Sequence, residues 1–323
     1  MSLSPLVSIL IPTFNREPFI RDCILSAINQ TYDRIEIVIV DNCSTDLTLS
    51  ICKEFQDLDS RVKVFQNDRN IGPVRNWIRC AEEATGHYIK VLFSDDILRP
   101  TCVEALVRAI EETPDAGLAY CAASIGPEHS TAPTYYSAAT SGQMSSLDYG
   151  RRMLVARAPY SPCASLMRKR SFLENLHLDF PTEQPHPFDK HGAGPDCMVQ
   201  LITASQYKNV AHVNQPLVYF RSHSGSFTAE NLNNQVHSAY ISSLALFAKN
   251  YLGNSTLLGF LLLTWIDFVR RNGWISPFRY FSQREARGSM VEFLWSIPSA
   301  LPLILNRLKR NSELRAANPD LKI

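Results

Sequence analysis

Short apolar runs alternate with longer amphipathic segments through the first 124 residues of the chain. The runs are rich in Val and Ile, as buried strands are, and they lie at 7–11, 35–40, 62–65, 88–93 and 117–123. Between them, apolar residues recur every three or four positions, which predicts helices at 19–28, 47–55, 72–84 and 100–110. The alternation predicts an α/β fold with an open, mostly parallel sheet flanked by helices.

The pattern changes after residue 124. Residues 125–146 are rich in Ser, Thr, Ala, Gly and Pro, which predicts a long loop or flap. Residues 180–195 contain several prolines and glycines and predict a second irregular segment. A helix is expected to begin at Asp196.

The last third of the chain is predicted to be mainly helical. Two strands are expected first, at 210–213 and 217–221. From about residue 231, apolar residues recur with helical spacing on one face. The chain is therefore predicted to have a domain at 1–229, with halves at 1–124 and 125–229, followed by a helical extension at 230–323.

Polar residues follow the predicted strands where a parallel sheet binds its ligands. Residues 12–16 follow the first strand, Asp41 and Asn42 the second, and Asp95 and Asp96 the fourth. Ligands of open α/β sheets bind outside the carboxyl ends of the strands. No GxGxxG follows the first strand and no GxxxxGK[ST] occurs, so the main sequence support for a Rossmann dehydrogenase or a P-loop NTPase is missing.

The adjacent carboxylates of Asp95 and Asp96 need compensation if the end of their strand is buried, because like charges repel and lose hydration there. A hard divalent cation bound together with nucleotide phosphates would supply it. The alternative is that Asp96 caps the following helix while Asp95 is solvated. The pair alone does not decide between these two interpretations.

Charge is distributed unevenly along the chain. The formal net charge is +1 overall, but −4 for residues 1–229 and +5 for residues 230–323. The overall balance gives no electrostatic case for nucleic acid. The basic and apolar tail favours either peripheral membrane contact through 286–323 or a helical cap with a solvated face. The longest apolar stretches fall short of the ~20 residues of a spanning helix, so no transmembrane helix is predicted.

The eight cysteines and the first residues bear on the compartment. No two cysteines form a CxxC pair, which is typical of packed, reduced thiols rather than a disulfide framework or a zinc site. The N-terminal residues MSLSPLVS lack a basic segment and lead directly into a strand. We therefore expect a cytoplasmic protein, with contact at the inner membrane face as the alternative location.

Six stretches in order resemble family 2 glycosyltransferases, which have the GT-A fold. They are VSILIPTFNR, IVIVDNCSTD, NIGPVRN, GHYIKVLFSDDILRP, GPDCMVQL and YFRSHSGSFT. The resemblance covers roughly residues 6–125 and resumes at the last two stretches. It implies a Rossmann-like, mostly parallel sheet, with residues 1–124 as the nucleotide-binding half and 125–229 as the acceptor half. It also implies an inverting transfer of sugar from a nucleotide-diphosphate donor to an acceptor hydroxyl, with Mn²⁺ or Mg²⁺.

The resemblance also assigns roles to individual residues. Metal contacts are implied at Asp96 and at His223, which could instead touch the diphosphate, and the segment with Arg221 and His223 is implied to fold back over the site. Donor contacts are implied at Pro12, Phe14, Asn15, Asp41, Asn42, Arg75 and Asp95. Three of these residues have plainer alternatives: Phe14 as a core residue, Arg75 as the partner of a surface acid, and His223 as a structural histidine.

Two positions depart from the family pattern. An acid is frequent in the family where Phe93 or Ser94 stands, so only the end of a DXD motif is present. Asn42 stands where an Asp that pairs with the base is frequent. Because an amide both donates and accepts hydrogen bonds, the base of the donor stays open among UDP, dTDP and GDP sugars.

Asp196 matches the position of the family's general base, which takes the proton of the attacking hydroxyl. The alternative for Asp196 is a helix N-cap, and Asp189 is then the next candidate for the base. The predicted function is synthesis of a cell-surface polysaccharide or glycolipid on a saccharide or lipid-linked acceptor. A nucleotidyltransferase that makes nucleotide-sugars and a non-catalytic nucleotide-binding module are the alternatives, and the oligomeric state stays open.

Overall fold

A ten-stranded sheet forms the centre of the molecule. The computed structural model describes residues 4–127, 132–137, 140–223, 233–282, 298, 300–305, 307–309 and 311–312. The strands are β1 (Val7–Thr13), β2 (Ile35–Asp41), β3 (Val62–Gln66), β4 (Tyr88–Val91), β5 (Ile97–Leu98), β6 (Ala116–Gly126), β7 (Thr134–Tyr135), β8 (Gly142–Ser145), β9 (Ser165–Arg168) and β10 (Asn209–Arg221).

Helices connect and cover these strands. They are α1 (Glu17–Ile28), α2 (Thr48–Leu58), α3 (Pro73–Glu83), α4 (Cys102–Glu112), α5 (Ser146–Leu154), α6 (Lys169–Asn175), α7 (Phe188–His191), α8 (Pro195–Ser205), α9 (Asn233–Phe247), α10 (Asn254–Asn272) and α11 (Pro277–Ser282). A π-helical turn, Ala248–Leu252, follows α9 directly.

The strand order is β3-β2-β1-β4-β9-β6-β10-β5, with β7 beside β6 and β8 beside β10. The long pairings are parallel: β2 lies between β1 and β3, β1 pairs with β4, and β6 pairs with β10. The short strands β5, β7, β8 and β9 pair antiparallel. The predicted α/β fold with a mostly parallel sheet flanked by helices is confirmed.

The central strands are apolar because helices cover both of their faces. All seven residues of β1 and all seven of β2 are buried, which explains their continuous runs of Val, Ile and Leu. The register pairs Pro12 with Val40 and Thr13 with Asp41. The polar residues after these two strands are therefore brought to the same edge of the sheet.

Glu36 is a buried acid at the opposite end of β2. Its Oε1 accepts hydrogen bonds from Ser8, Thr85 and Gly86, and its Oε2 lies 2.7 Å from Nζ of Lys63. Burial by itself raises the pKa of Glu36, but the hydrogen bonds from Lys63, Ser8 and Thr85 outweigh it and lower the pKa to about 2. This carboxylate ties β1, β2, β3 and the start of β4 together.

Several sequence expectations need correction. The strands expected at 210–213 and 217–221 are one strand, β10, with register shifts against β6 on either side of Pro216. Proline has no N–H to donate, so it interrupts the ladder without ending the strand. The loop expected at 125–146 contains β7 and β8, and the irregular segment at 180–195 contains α7.

Four further elements lie where the sequence predicted no helix or strand. They are β5, α5, β9 and α6. The four residues of β9, SLMR, insert antiparallel between β4 and β6. So short a strand carries little periodicity, because only two residues face each side.

The C-terminal extension packs against the sheet domain through α9, which contacts α8. A search of the described residues found no helix long and apolar enough to cross a bilayer. Residues 283–297 and 313–323, on which most of the predicted membrane contact falls, lie outside the described residues. All eight cysteines are free, and all are buried except Cys43, which is partly exposed.

Candidate active site

A cavity of about 1280 Å³ opens at the carboxyl ends of the central strands. One part of its wall comes from the end of β1 and from the loops after β1, β2 and β4, and includes Pro12, Phe14, Asn42, Asp95 and Asp96. The facing part comes from residues 160–161, from the segment 189–196 and from α9. The cavity therefore joins both predicted halves of the domain and the C-terminal extension.

Phe14 and Arg75 are available to a ligand in this cavity. The Phe14 side chain is 39 % exposed, so it is not the core residue considered as its alternative. Arg75 is about half exposed, and its Nη1 lies 3.9 Å from Oδ2 of Asp189. An exposed ion pair of this length contributes little to stability and leaves the guanidinium free to turn toward an anion.

Asn15 and Asp41 are not among the cavity-lining residues, and both brace the loops behind the wall. Asn15 has a left-handed backbone (φ 51°), its N–H donates to Ser44 Oγ, and its Oδ1 accepts from the N–H of Thr45. Asp41 is fully buried, and its Oδ2 accepts from the N–H of Ser44. The structure thus gives both residues a loop-holding contact, while their predicted donor contacts stay predictions.

Asn42 lines the cavity, but its amide is engaged within the protein. Its Oδ1 accepts from Asn67 Nδ2 at 3.0 Å and from the N–H of Ile71 at 2.9 Å. Its Nδ2 donates to Asn70 Oδ1 at 2.9 Å and lies 3.4 Å from Gly72 O. An Asp at position 42 could accept but not donate, so the Asn fits the loop of residues 67–72 that it holds.

Asp95 and Asp96 differ in their surroundings although they are adjacent. Asp95 Oδ2 lies 3.6 Å from Arg16 Nε and 3.2 Å from His223 Nε2. Asp96 is buried, and its Oδ1 accepts the backbone N–H of Arg221 at 3.2 Å. Burial raises the pKa of Asp96 well above its usual range, and the neighbouring charge of Asp95 raises it further. Asp96 is therefore the carboxylate that gains most from an added cation.

Arg221 and His223 lie at the end of β10 and just beyond it. The His223 ring packs on Phe19 with centroids 4.3 Å apart, and the Arg221 guanidinium lies 5.0 Å above the same phenyl ring. His223 contacts Asp95 directly, whereas Asp96 is reached by the Arg221 backbone. The end of β10 thus places His223 beside Asp95 and the Arg221 backbone beside Asp96.

The donor set suits a hard divalent cation that is shared with a diphosphate. No cluster of three or more His, Cys, Asp or Glu side chains positioned to hold a metal occurs among the described residues. Mg²⁺ in nucleotide sites is commonly held by one or two carboxylates, with phosphate and water oxygens completing the octahedron. The buried carboxylate of Asp96, with Asp95 beside it, matches that requirement.

Phe93 and Ser94 occupy the positions where the family frequently has a further acid. The Phe93 ring packs against Trp77 with centroids 5.2 Å apart, and Ser94 is buried. The Phe93 N–H donates to Cys163 Sγ. This turn is therefore held by packing, and Asp95 and Asp96 are the acids that it brings to the cavity, beside Phe93 and Ser94.

Asp196 lies in the first turn of α8 and is 7 % exposed. Its Oδ1 accepts the N–H groups of Gly194 at 2.9 Å and of Cys197 at 2.7 Å, and its Oδ2 accepts the Tyr240 hydroxyl at 2.5 Å. Burial raises the pKa of Asp196 to about 7, although these hydrogen bonds oppose the rise. A carboxylate with a pKa near neutrality is suited to general-base catalysis.

Gly194 permits the backbone conformation that leads into α8 and Asp196. Its φ is 111°, a backbone conformation that residues other than glycine rarely adopt. An added Cβ would lie 2.6 Å from the Phe188 ring and 2.7 Å from Ser243 Oγ. Asp189, the other candidate for the base, is about half exposed and faces Arg75, so burial favours Asp196.

Three further residues line the cavity without having been predicted from the sequence: Tyr240, Tyr160 and Arg16. Arg16 lies within the recognised stretch after β1, so its charge was a usable signal. Tyr240 was recognised only as one residue of an apolar helical face. Its contact with Asp196 spans 44 residues of sequence, and no local pattern indicates it.

The comparison with known families agrees with this geometry. The model of "Glycosyl transferase family 2" matches residues 8–176. The chain belongs to glycosyltransferase family 2. Residues 8–176 include β1 to β4 and the acidic pair, but not Asp196, His223 or Tyr240.

Two curated relatives of this family 2 member come from Bacillus subtilis (strain 168). The putative glycosyltransferase EpsH is 29 % identical over 255 residues, which cover 76 % of this chain and 68 % of EpsH. The putative teichuronic acid biosynthesis glycosyltransferase TuaG is 36 % identical over 92 residues, covering 28 % of this chain and 36 % of TuaG. The matches with several other curated relatives likewise span about a third of the relative's length.

The fold has a counterpart among solved structures. The crystal structure of residues 1–349 of S. aureus TarS, in complex with UDP-GlcNAc, superposes with a TM-score of 0.65 at 18 % identity. The superposition covers 96 % of this chain and 83 % of the TarS chain. At this identity the likeness establishes the shared fold alone, and it extends through the C-terminal helices.

Proposed function

We propose that this family 2 member is an inverting, metal-dependent glycosyltransferase that moves a sugar from a nucleotide-diphosphate donor to an acceptor hydroxyl. The observation that carries the proposal is the cavity itself. One wall presents Asp95 and Asp96 at the end of β4, and the other presents Asp196, a buried carboxylate with a pKa of about 7. The two walls provide a place for a diphosphate and a base for the acceptor.

The donor is proposed to lie along the loops after β1, β2 and β4. Phe14 is exposed for stacking on a base, and Arg75 has a guanidinium for the diphosphate or sugar. Since the amide of Asn42 is taken by Asn67, Asn70 and Ile71, Asn42 is proposed to shape the base site by holding the loop. UDP, dTDP and GDP sugars are all candidate donors.

Asp96, with Asp95 or His223 beside it, is proposed to hold Mn²⁺ or Mg²⁺. A bound divalent cation supplies electrostatic stabilisation of the negative charge on the departing diphosphate. The protein residues bind and orient: Arg221 donates its backbone N–H to Asp96, and Arg16 lies near Asp95. These contacts keep the acidic pair fixed before the donor arrives.

Asp196 is proposed to take the proton of the acceptor hydroxyl as that oxygen attacks the anomeric carbon. An inverting displacement is one in-line step, so a single positioned base is sufficient. The name of TuaG connects a relative with teichuronic acid biosynthesis. We infer a role in cell-surface polysaccharide or glycolipid synthesis, with a saccharide or lipid-linked acceptor.

The testing experiment is a thermal-shift screen of UDP, dTDP and GDP sugars, each with Mn²⁺, with Mg²⁺ and with EDTA. A ligand at a hundred times its Kd stabilises the folded state by about 2.7 kcal/mol, so one donor class is expected to raise Tm in a metal-dependent way. Asp96→Asn is expected to abolish that shift, whereas the exposed Asp57→Asn control keeps it. No metal-dependent shift with any of the three classes would refute the donor site.

The donor identified by the screen then tests the base. Asp196→Asn is expected to keep the metal-dependent shift and to lose at least a hundredfold in sugar transfer, on the order of what a positioned general base contributes. Transfer by Asp196→Asn at the wild-type rate would remove Asp196 from the reaction while leaving the donor site intact.

A further inference from the structure

We propose that Tyr240, on helix α9 of the C-terminal extension, is a positioning residue for Asp196: its hydroxyl fixes the carboxylate so that one lone pair of Oδ2 faces the acceptor. The inference rests on the proposed function, since it concerns the same base. Tyr240 lies outside residues 8–176, the part of the chain that matches the family model.

The hydrogen bonds around Asp196 determine which atom is free to act. A carboxylate has about four lone-pair positions on its two oxygens. The N–H groups of Gly194 and Cys197 occupy Oδ1, and the Tyr240 hydroxyl donates to Oδ2 at 2.5 Å. The fourth position, on Oδ2, is therefore the one left for the proton of the acceptor hydroxyl.

Tyr240 acts in this arrangement as a donor only. Burial raises the pKa of its hydroxyl well above the usual value, and the Asp196 carboxylate raises it further. The phenol thus keeps its proton over the working pH range and does not compete with Asp196 as a base. A charge-assisted hydrogen bond of this kind is stronger than a neutral one, so it favours the ionised, proton-accepting form of Asp196.

The position of Tyr240 depends on packing between the extension and the domain. Helix α9 contacts α8, and the Tyr240 ring contacts that of Tyr160 with centroids 5.0 Å apart. Val236, one turn earlier on α9, also lines the cavity. The extension therefore completes the base rather than only covering the domain.

Other titratable groups near this pair come from each element around it. Cys197 on α8 and Tyr160 before the 3₁₀ turn at 162–164 raise the pKa of Tyr240, and Asp189, Lys190 and His191 of α7 line the same cavity. The side chain that hydrogen-bonds the Asp196 carboxylate is that of Tyr240. The test therefore removes that hydroxyl alone.

The experiment follows the carboxyl ¹³C signal of Asp196 against pH in protein labelled with [4-¹³C]aspartate, and Asp196→Asn identifies the signal by its loss. Hydrogen bonds to charged groups contribute about 1.5–3 kcal/mol, equivalent to about one to two pH units. Tyr240→Phe is expected to move the titration midpoint upward by that amount. The control Tyr251→Phe, on the exposed tyrosine of the following turn, is expected to leave it unchanged.

An unmoved midpoint in Tyr240→Phe overturns the proposal. If that variant does not fold, 3-fluorotyrosine at position 240 keeps the shape and makes the phenol a stronger donor. The midpoint is then expected to move downward, and an upward or absent shift refutes the inference. The titration requires no donor, so its failure is distinct from failure of the nucleotide-sugar screen.

Discussion

Replacing Asp196 by Asn is expected to flatten the pH dependence of stability, because Asp196 is a buried carboxyl with a pKa of about 7 in the folded protein and a reference value of 3.8. The folded state holds its proton more tightly than the unfolded state does. Protonation therefore stabilises the fold at acid pH, and this contribution is lost as pH rises from 3.8 through 7.

The magnitude follows from these two pKa values. Between pH 5 and pH 8 the contribution of Asp196 falls by about 3 kcal/mol, since each pKa unit corresponds to about 1.4 kcal/mol. Asn cannot ionise, but its amide oxygen can still accept from Gly194 and Cys197. The free energy of unfolding of Asp196→Asn, relative to wild type, should therefore increase by about 3 kcal/mol from pH 5 to pH 8.

The assay is urea unfolding of both proteins at pH 5, 6, 7 and 8, read as the difference in free energy at each pH. Taking the difference cancels the titrating groups that do not interact with Asp196. The exposed Asp57→Asn variant controls for the removal of one negative charge. If the free energies of unfolding of wild type and Asp196→Asn changed in parallel with pH, Asp196 would titrate normally and burial would not raise its pKa.

Three other predictions concern the buried Glu36 of β2, the loop that Asn42 holds and the turn at Gly194. Glu36→Gln should lower stability at pH 7 by about 3 kcal/mol, because the folded carboxylate has a pKa of about 2 against a reference value of 4.5. This loss should vanish as pH falls from 4.5 to 2, and a pH-independent difference in urea unfolding would contradict it. Asn42→Asp should lower stability by about 1–3 kcal/mol, because a carboxylate oxygen would then face the oxygens of Asn70 and Gly72 that now accept hydrogen bonds from the Asn42 amide. An unchanged Tm would refute this. Gly194→Ala should reduce transfer more than donor binding, since the added Cβ would clash with the Phe188 ring. If kcat/KM for transfer and the donor-induced Tm shift fell to the same extent, the effect would not be confined to the surroundings of Asp196.

The sequence predicted those parts of the molecule that depend on local patterns. The runs around Val7 and Ile35 form β1 and β2, because strands covered on both faces need continuous apolar residues. The carboxyl ends of those strands, and with them Asp41, Asn42, Asp95 and Asp96, could be placed at one edge from the alternation alone.

Features created by contacts between distant segments could not be predicted in this way. The strand β9 is held by β4 and β6 on either side rather than by its own four residues. The engagement of the Asn42 amide depends on Asn67 and Asn70, 25 and 28 residues later. The contact from Tyr240 to Asp196 depends on how α9 packs on α8.

The contacts of β10 with the acidic pair have a consequence for folding. Arg221 and His223 are 125 and 128 residues away from the aspartates that they contact. Closing so long a loop has a large entropic cost, and non-local contacts of this kind form late and slowly. The metal-dependent nucleotide binding proposed above should therefore return later in refolding than helical circular dichroism does, because it requires the completed native topology.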